Sequence, residues 1–320
     1  MIDATTSRRF RGIWVRAVGM VALLSVGLLL NGCGLGPGED TGNASLLVTH
    51  DYGREVILEK PDLPVNESSN AMRILDESAD LETAYGGEYV QAVDGLAGGN
   101  SGGRSFDWFF AVNGIVAERG SAQFPVAGGD RVWWDYRDWT DAMEVGAVVG
   151  SYPAPFTTGY DNRDWGTEVE CLDSDEACDL VEKQLMDDGV SLESRGENMV
   201  IRVGTIGPVS DTPEGRRILN GPGSSGVFAT FRSGGGADAP WHLVGLTEEG
   251  ETGIDYGTGS GLVAAMRSGE KPPVWIITGG TDRAVSLAAS ALDPKYLERR
   301  YAAVVSGREV SSLPLARGQQ

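Results

Sequence analysis

Glycine or proline stands at about every fifth position of this 320-residue chain, with 46 glycines and 14 prolines, and that density keeps every regular element short. An interior glycine costs a helix about 1 kcal/mol and a proline about 3, so the composition suits long helices poorly. Short strands joined by many turns are expected instead, in an α+β protein. The length allows two domains of ordinary size. A 41% share of hydrophobic residues, with eight tryptophans, supplies the apolar surface that offsets chain entropy.

The N-terminus reads as an address. Arg8, Arg9, Arg11 and Arg16 precede an uncharged run from Ala17 to Gly32 that ends at Cys33. The run is shorter than the roughly 20 residues of a permanent membrane helix and fits a secretory signal over 1–32. Leu30-Asn31-Gly32-Cys33 resembles the bacterial lipoprotein signal, with Asn31 where that family usually has Ala or Ser. The resemblance implies that the Cys33 thiol is acylated and that the protein is held outside the cytoplasm, on the cell membrane, by its lipid. Residues 33–43, rich in Gly, Pro and polar side chains, are expected to form a flexible tether. Ser7-Arg8-Arg9 also bears a faint likeness to a twin-arginine signal, so the export route stays open.

Charge narrows the partners. The chain carries 26 Lys+Arg against 46 Asp+Glu, a formal net of −20, and loss of 1–32 would leave it more acidic still. Nucleic acid and anionic membrane surfaces are therefore disfavoured. Beyond Cys33 the cysteines are Cys171 and Cys178, an even pair expected to form a disulfide in an oxidising compartment. His50 and His242, the two histidines, lie far apart in sequence, so no metal site is expected. Asp173, Asp175, Glu176 and Asp179 lack the glycine of an EF-hand loop and read as an acidic helix start.

Residues 44–150 read as a first domain. Strands are expected at 44–50 and 54–59 about an Asp51-Tyr52-Gly53 turn, then a loop over Pro61–Pro64. A helix capped by Ser68 or Ser69 follows, with Ala71, Met72, Leu75 and Ala79 on one face. Further strands are expected at 88–93, 106–112, 115–118 and 131–136, with Asn113-Gly114 a two-residue hairpin turn and Gly98–Gly103 a loop. The segments YGGEYVQAVDGL, DWFFAVNG and GGDRVWWDY, in that order, resemble the transcobalamin C-terminal-like domain over about residues 44–140. The resemblance implies a β-grasp fold of the soluble-ligand-binding type. Transcobalamin and intrinsic factor close over cobalamin with this domain, but their large helical domain has no counterpart after residue 150.

Trp108, Trp133, Trp134, Tyr136 and Trp139 are the candidate ligand-binding residues, interleaved with Asp135, Arg137 and Asp138. Strand alternation sends Trp133 and Asp135 to one face and Trp134 and Tyr136 to the other. Three uses compete for these rings: filling the core, stacking on a planar ligand, or docking a second domain.

Residues 151–160 read as a linker and 161–320 as an α/β domain. Strands are expected near 167–171, 198–203, 226–231, 241–246, 273–278 and 301–305. Helices are expected at about 175–188, 212–219, 260–267 and 281–292, with a loop over Gly221–Gly226. The glycine-rich starts at 257–261 and 279–280 lack a dinucleotide or phosphate fingerprint. Ser225 and Ser260 lie outside any G-x-S-x-G elbow, and no zinc-protease or Walker motif is present. A carboxylate-pair hydrolase is the remaining catalytic option, and the abundance of acidic groups makes that signal uninformative. The chain is expected to act by binding, with no cofactor named. It would capture a small ligand, a corrinoid or another cofactor-like compound, for a membrane importer. The alternative is a non-catalytic structural or interaction lipoprotein of the envelope.

Overall fold

The computed structural model describes residues 38–234 and 240–318. The expected signal segment, Cys33 and the first part of the expected tether lie outside the described residues, and from Asp40 onward the chain gathers into one compact unit. Among the described residues no helix is long and apolar enough to cross a membrane.

The N-terminal part is a twisted sheet with one short helix. β1 (Asp40–His50) and β2 (Glu55–Asn66) form an antiparallel hairpin. β3 (Leu81–Ala84), β4 (Tyr89–Val93) and β5 (Leu96–Ala97) make a small separate sheet. β6 (Gly99–Ser101), β7 (Arg104–Val112), β8 (Ile115–Val116) and β9 (Arg131–Asp138) complete the main sheet in the order β2-β1-β9-β7-β6, with β8 on β7. β9 returns parallel to β1, as a β-grasp arrangement requires. The helix Ala71–Asp76 buries Ala71, Met72, Ile74 and Leu75 in the same core as Leu46, Val48 and Trp134.

Three local expectations are corrected here. The helix cap is Asn70, whose side chain accepts from the Arg73 N–H at 2.8 Å, while Ser69 Oγ accepts from the Asn66 N–H. Pro61 and Pro64 sit within β2, which tolerates them because it is an edge strand whose outer side needs no donor. The Gly98–Gly103 segment is a hairpin rather than a loop: β6 pairs with β7, and Gly102 and Gly103 turn the chain with positive φ.

The C-terminal part is built on a mixed sheet with two helices on one side, and a second sheet with short helices on the other. Its strands are β10 (Gly166–Cys171), β11 (Asn198–Thr205), β12 (Ala229–Ser233), β13 (Trp241–Leu246), β14 (Thr252–Gly257), β15 (Gly261–Met266), β16 (Val274–Gly279), β17 (Ala302–Ser306) and β18 (Glu309–Leu313). The large sheet runs β10-β11-β16-β15-β17-β18; β10, β11 and β16 are parallel and the remaining pairings antiparallel. Val181 and Leu185 of the helix Asp175–Asp187 and Val285 and Ala288 of the helix Asp282–Ala289 share a core with Ile201, Val203 and Ile277. Ile276, Leu262 and Val304 instead join the core of Phe228, Phe231 and Leu243, contributed by the β12-β13-β14 side.

The segment 260–267 is a correction of kind. It forms strand β15, fully buried between β16 and β17, and not a helix. A short continuous apolar run fits either element, and burial on both faces selected the strand. A short helix, Pro222–Ser225, also occupies the expected Gly221–Gly226 loop. Cys171 and Cys178 form the expected disulfide, with Cα atoms 5.9 Å apart, joining the end of β10 to the start of the following helix. That helix stops in a Schellman turn: Val190 N–H donates to Leu185 O and Gly189 N–H to Met186 O, with Gly189 at φ +82°.

Candidate functional site

Strand β9 carries two different surfaces, because alternate side chains leave opposite faces. On the even face Trp134 stacks on Phe110 with centroids 4.8 Å apart, and Tyr136 stacks on Phe106 at 5.9 Å and tilts against Trp108 at 5.3 Å. Trp108 and Trp134 are buried, and the Trp108 indole N–H donates to Leu96 O at 2.8 Å. Half-buried Tyr136 donates its hydroxyl to Ala97 O at 3.0 Å. On the odd face Trp133 is also buried, edge-on to Tyr301 of the C-terminal part at 5.4 Å. Trp139 lies just past the strand, half-buried, its backbone N–H on Ser105 O. The five candidate aromatics are thus divided between two faces, with three of them buried, and do not assemble into one open stacking platform.

The odd face is polar at its centre. The Asp135 carboxylate, 2% exposed, accepts from the Thr49 hydroxyl at 2.5 Å, the Tyr301 hydroxyl at 2.8 Å and the backbone N–H groups of Tyr52 at 3.0 Å and Gly53 at 3.1 Å. Trp133 adds a link by donating its indole N–H to Thr49 Oγ1 at 2.8 Å. The β1–β2 turn is bent to supply these donors: Asp51, Tyr52 and Gly53 all have positive φ. Gly53 is required twice over, since a Cβ there would also lie 2.4 Å from Arg299 O and 2.8 Å from the Trp133 ring. Burial raises the Asp135 carboxyl above the usual carboxylate range, and the hydrogen bonds from Thr49, Tyr301 and Gly53 only partly oppose it. Burial, followed by the neighbouring Asp135 charge, pushes the Tyr301 hydroxyl well up. At Asp138 burial is outweighed by hydrogen bonds from Arg104 and Thr140, and the carboxyl is held low.

Next along the same face, Arg137 is 1% exposed. Its guanidinium lies 4.0 Å from the Phe109 centroid and 5.8 Å from that of Tyr52. Nη1 donates to Ala142 O at 3.2 Å and Asp138 O at 3.4 Å, while Nε is buried without a partner among the described residues. Arg137 lines a cavity of about 410 Å³ together with Phe109, Glu118, Met143, Val145 and Arg267. Arg267 is itself 7% exposed; its Nε donates to Lys271 O at 2.8 Å, and its nearest ion-pair partner, Glu118, is at 3.9 Å. The cavity therefore opens where β7, the end of β9, the connecting segment and the loop after β15 meet. A second cavity of about 410 Å³ lies by Pro125–Gly128 and is lined by the acidic groups Glu67, Asp130 and Asp161.

Asp135 and Arg137 were legible as the polar members of the odd face, but Thr49, Tyr52, Phe109, Arg267 and Tyr301 were not singled out. For Arg267 a signal existed: a cation directly after the unbroken apolar run Gly261–Met266. For Tyr301 nothing local distinguishes it from an ordinary core tyrosine.

No curated protein and no solved structure matches the chain. Residues 68–138, from just before the helix Ala71–Asp76 to the last residue of β9, match the family model described as Domain of unknown function (DUF4430), a transcobalamin-like domain.

Proposed function

We propose that this chain is a lipid-tethered extracytoplasmic binding protein that captures a small molecule and delivers it to a membrane importer. The tether rests on the Leu30–Cys33 signal. The observation that carries capture is the cavity between Phe109 and Val145, walled in part by the buried side chains of Arg137 and Arg267. Small-molecule sites span about 300–1,000 Å³; a volume of about 410 Å³ suits a compound smaller than an entire corrinoid. The burial of Trp108, Trp133 and Trp134 moves the capture site from the aromatic ladder to this cavity. The envelope-structural reading draws on the seam itself, since Asp135 and Tyr301 are committed to joining the two parts of the chain.

Two measurements test the reading. Wild-type chain expressed in a bacterial host partitions into detergent, and Cys33→Ser releases it or leaves an unprocessed precursor; an unchanged detergent fraction overturns the tether. A panel of corrinoids, haem, flavins and small metabolites titrated against tryptophan fluorescence gives saturable quenching by at least one compound. Silence across the panel leaves the structural role in its place.

A further inference from the structure

A cluster outside the cavities gathers where β1 turns into β2. His50, at the end of β1, pairs across the hairpin with Glu55, the first residue of β2, and Asp51 follows His50 in a left-handed conformation at φ +56°. The turn is fixed from behind: the Asp51 N–H donates to Tyr136 O at 2.9 Å, and the N–H groups of Tyr52 and Gly53 donate to Asp135. The two carboxylates close on the imidazole from its two nitrogens, with Asp51 Oδ2 3.1 Å from Nδ1 and Glu55 Oε2 3.1 Å from Nε2. One donor atom from each of the three side chains lies within 4.8 Å of the others.

This arrangement calls for a cation. A neutral imidazole carries a single N–H, so one of the two contacts sets a nitrogen lone pair against a carboxylate oxygen. Like partial charges repel at that distance, and only an added positive charge, a proton or a metal ion, makes the contact attractive. Arg54, the cation nearest in sequence, is turned away to Glu248 at 2.7 Å. Among the described residues His50 is the only ion-pair partner of Asp51 and of Glu55. The place is accessible, since the Glu55 side chain is 70% exposed and those of His50 and Asp51 also reach solvent. Zinc binds imidazole nitrogen and carboxylate oxygen at about 2.0–2.2 Å, which sets neighbouring ligands of a tetrahedral ion ~3.3 Å apart. Whichever nitrogen takes the ion already has a carboxylate oxygen near that spacing, and the other carboxylate closes the remaining edge by rotating. Carboxylates that the hairpin brings round thus stand in for a second imidazole. One nitrogen with two carboxylates suits zinc and its first-row neighbours better than magnesium or calcium, which take oxygen ligands. The net charge of −20 adds a long-range attraction for any divalent cation.

We propose that His50, Asp51 and Glu55 bind a divalent transition-metal ion, with zinc as the type case and water completing the coordination. The inference stands apart from the capture reading. A bound ion ties together the two ends of the β1–β2 turn, the same turn whose backbone donors hold Asp135, and so fastens the seam between the two parts of the chain.

The test is calorimetric titration of the full-length chain in detergent, stripped of metal with EDTA, using zinc chloride and, for comparison, magnesium and calcium chlorides. Saturable binding of zinc is expected, with magnesium and calcium each at least about tenfold weaker. His50→Gln should weaken zinc binding by roughly tenfold or more. Should that variant fail to fold, Glu55→Gln, at the most exposed of the three positions, gives the same comparison. His242→Gln removes the other histidine, which lies beside Asp255, and should leave zinc binding unchanged. A second readout reports position: with two histidines in the chain, a trace of copper(II) should broaden the imidazole NMR signals of His50 and spare those of His242. No saturable zinc binding, or zinc binding that both His50→Gln and Glu55→Gln leave intact, overturns the proposal, and His50 is then a hydrogen-bonded histidine and nothing more. Magnesium or calcium bound as tightly as zinc, or equal broadening of both histidines, overturns it as well.

Discussion

Trp134 and Asp135 are neighbours on one strand and each is 2% exposed, yet they are buried for opposite reasons. Trp134 lies in an apolar core of its own sheet, against Phe110, and contributes by leaving water. Asp135 loses hydration on burial and remains tolerable only because four donors converge on it, one of them Tyr301 from the far end of the chain. The even face of β9 therefore tolerates any packing of sufficient volume, whereas the odd face accepts one geometry. Apolar burial supplies stability on one side of the strand. Polar burial specifies on the other how the two parts of the chain meet, and two residues further on it leaves a guanidinium partly unsatisfied.

The sharpest way to break this contrast is at its apolar end. Trp134→Ala should lower unfolding stability by about 3–5 kcal/mol in urea denaturation, the range for truncating a buried aromatic. A loss under about 1 kcal/mol would mean that the even face is not a packed core. Asp135→Asn should cost less, about 1–3 kcal/mol, because the amide presents an N–H where a donor already points. The pH dependence sharpens the comparison further. The folded-state carboxyl is raised, so between the unfolded and folded pKa values the native chain holds the extra proton, and stability falls as pH rises through that window. Acidifying from about pH 8 toward about pH 4 should therefore improve wild type relative to Asp135→Asn. An unchanging difference would show that Asp135 carries no folding-linked proton. Tyr136→Phe is the smallest step: its hydroxyl bond to Ala97 O is exposed, and its loss should cost about 0.5 kcal/mol.

The even and odd faces of Arg131–Asp138 were legible because strand geometry sends successive side chains to opposite faces, and Asn113-Gly114, both with positive φ, marked its hairpin unaided. Other features were set by neighbours distant in sequence. The segment Gly261–Met266 is a strand because β16 and β17 flank it, and no local pattern encodes those partners. Pro61 and Pro64 look like a loop until β2 is known to be an edge. That Arg137 lines a cavity depends on where Arg267 and Val145 arrive, which is a property of the tertiary fold.

The parallel pairing of β1 with β9, from Ser45 opposite Arg131 to His50 opposite Tyr136, also dictates an order of assembly. The β1–β2 hairpin closes locally, but β1 then presents a bare hydrogen-bonding edge until the chain through Asp138 has been made. Bridging so wide a sequence separation is slow, because loop-closure entropy is lost before any contact returns it. During synthesis the nascent hairpin is thus the segment most exposed to wrong partners, and a holding chaperone would find its substrate there.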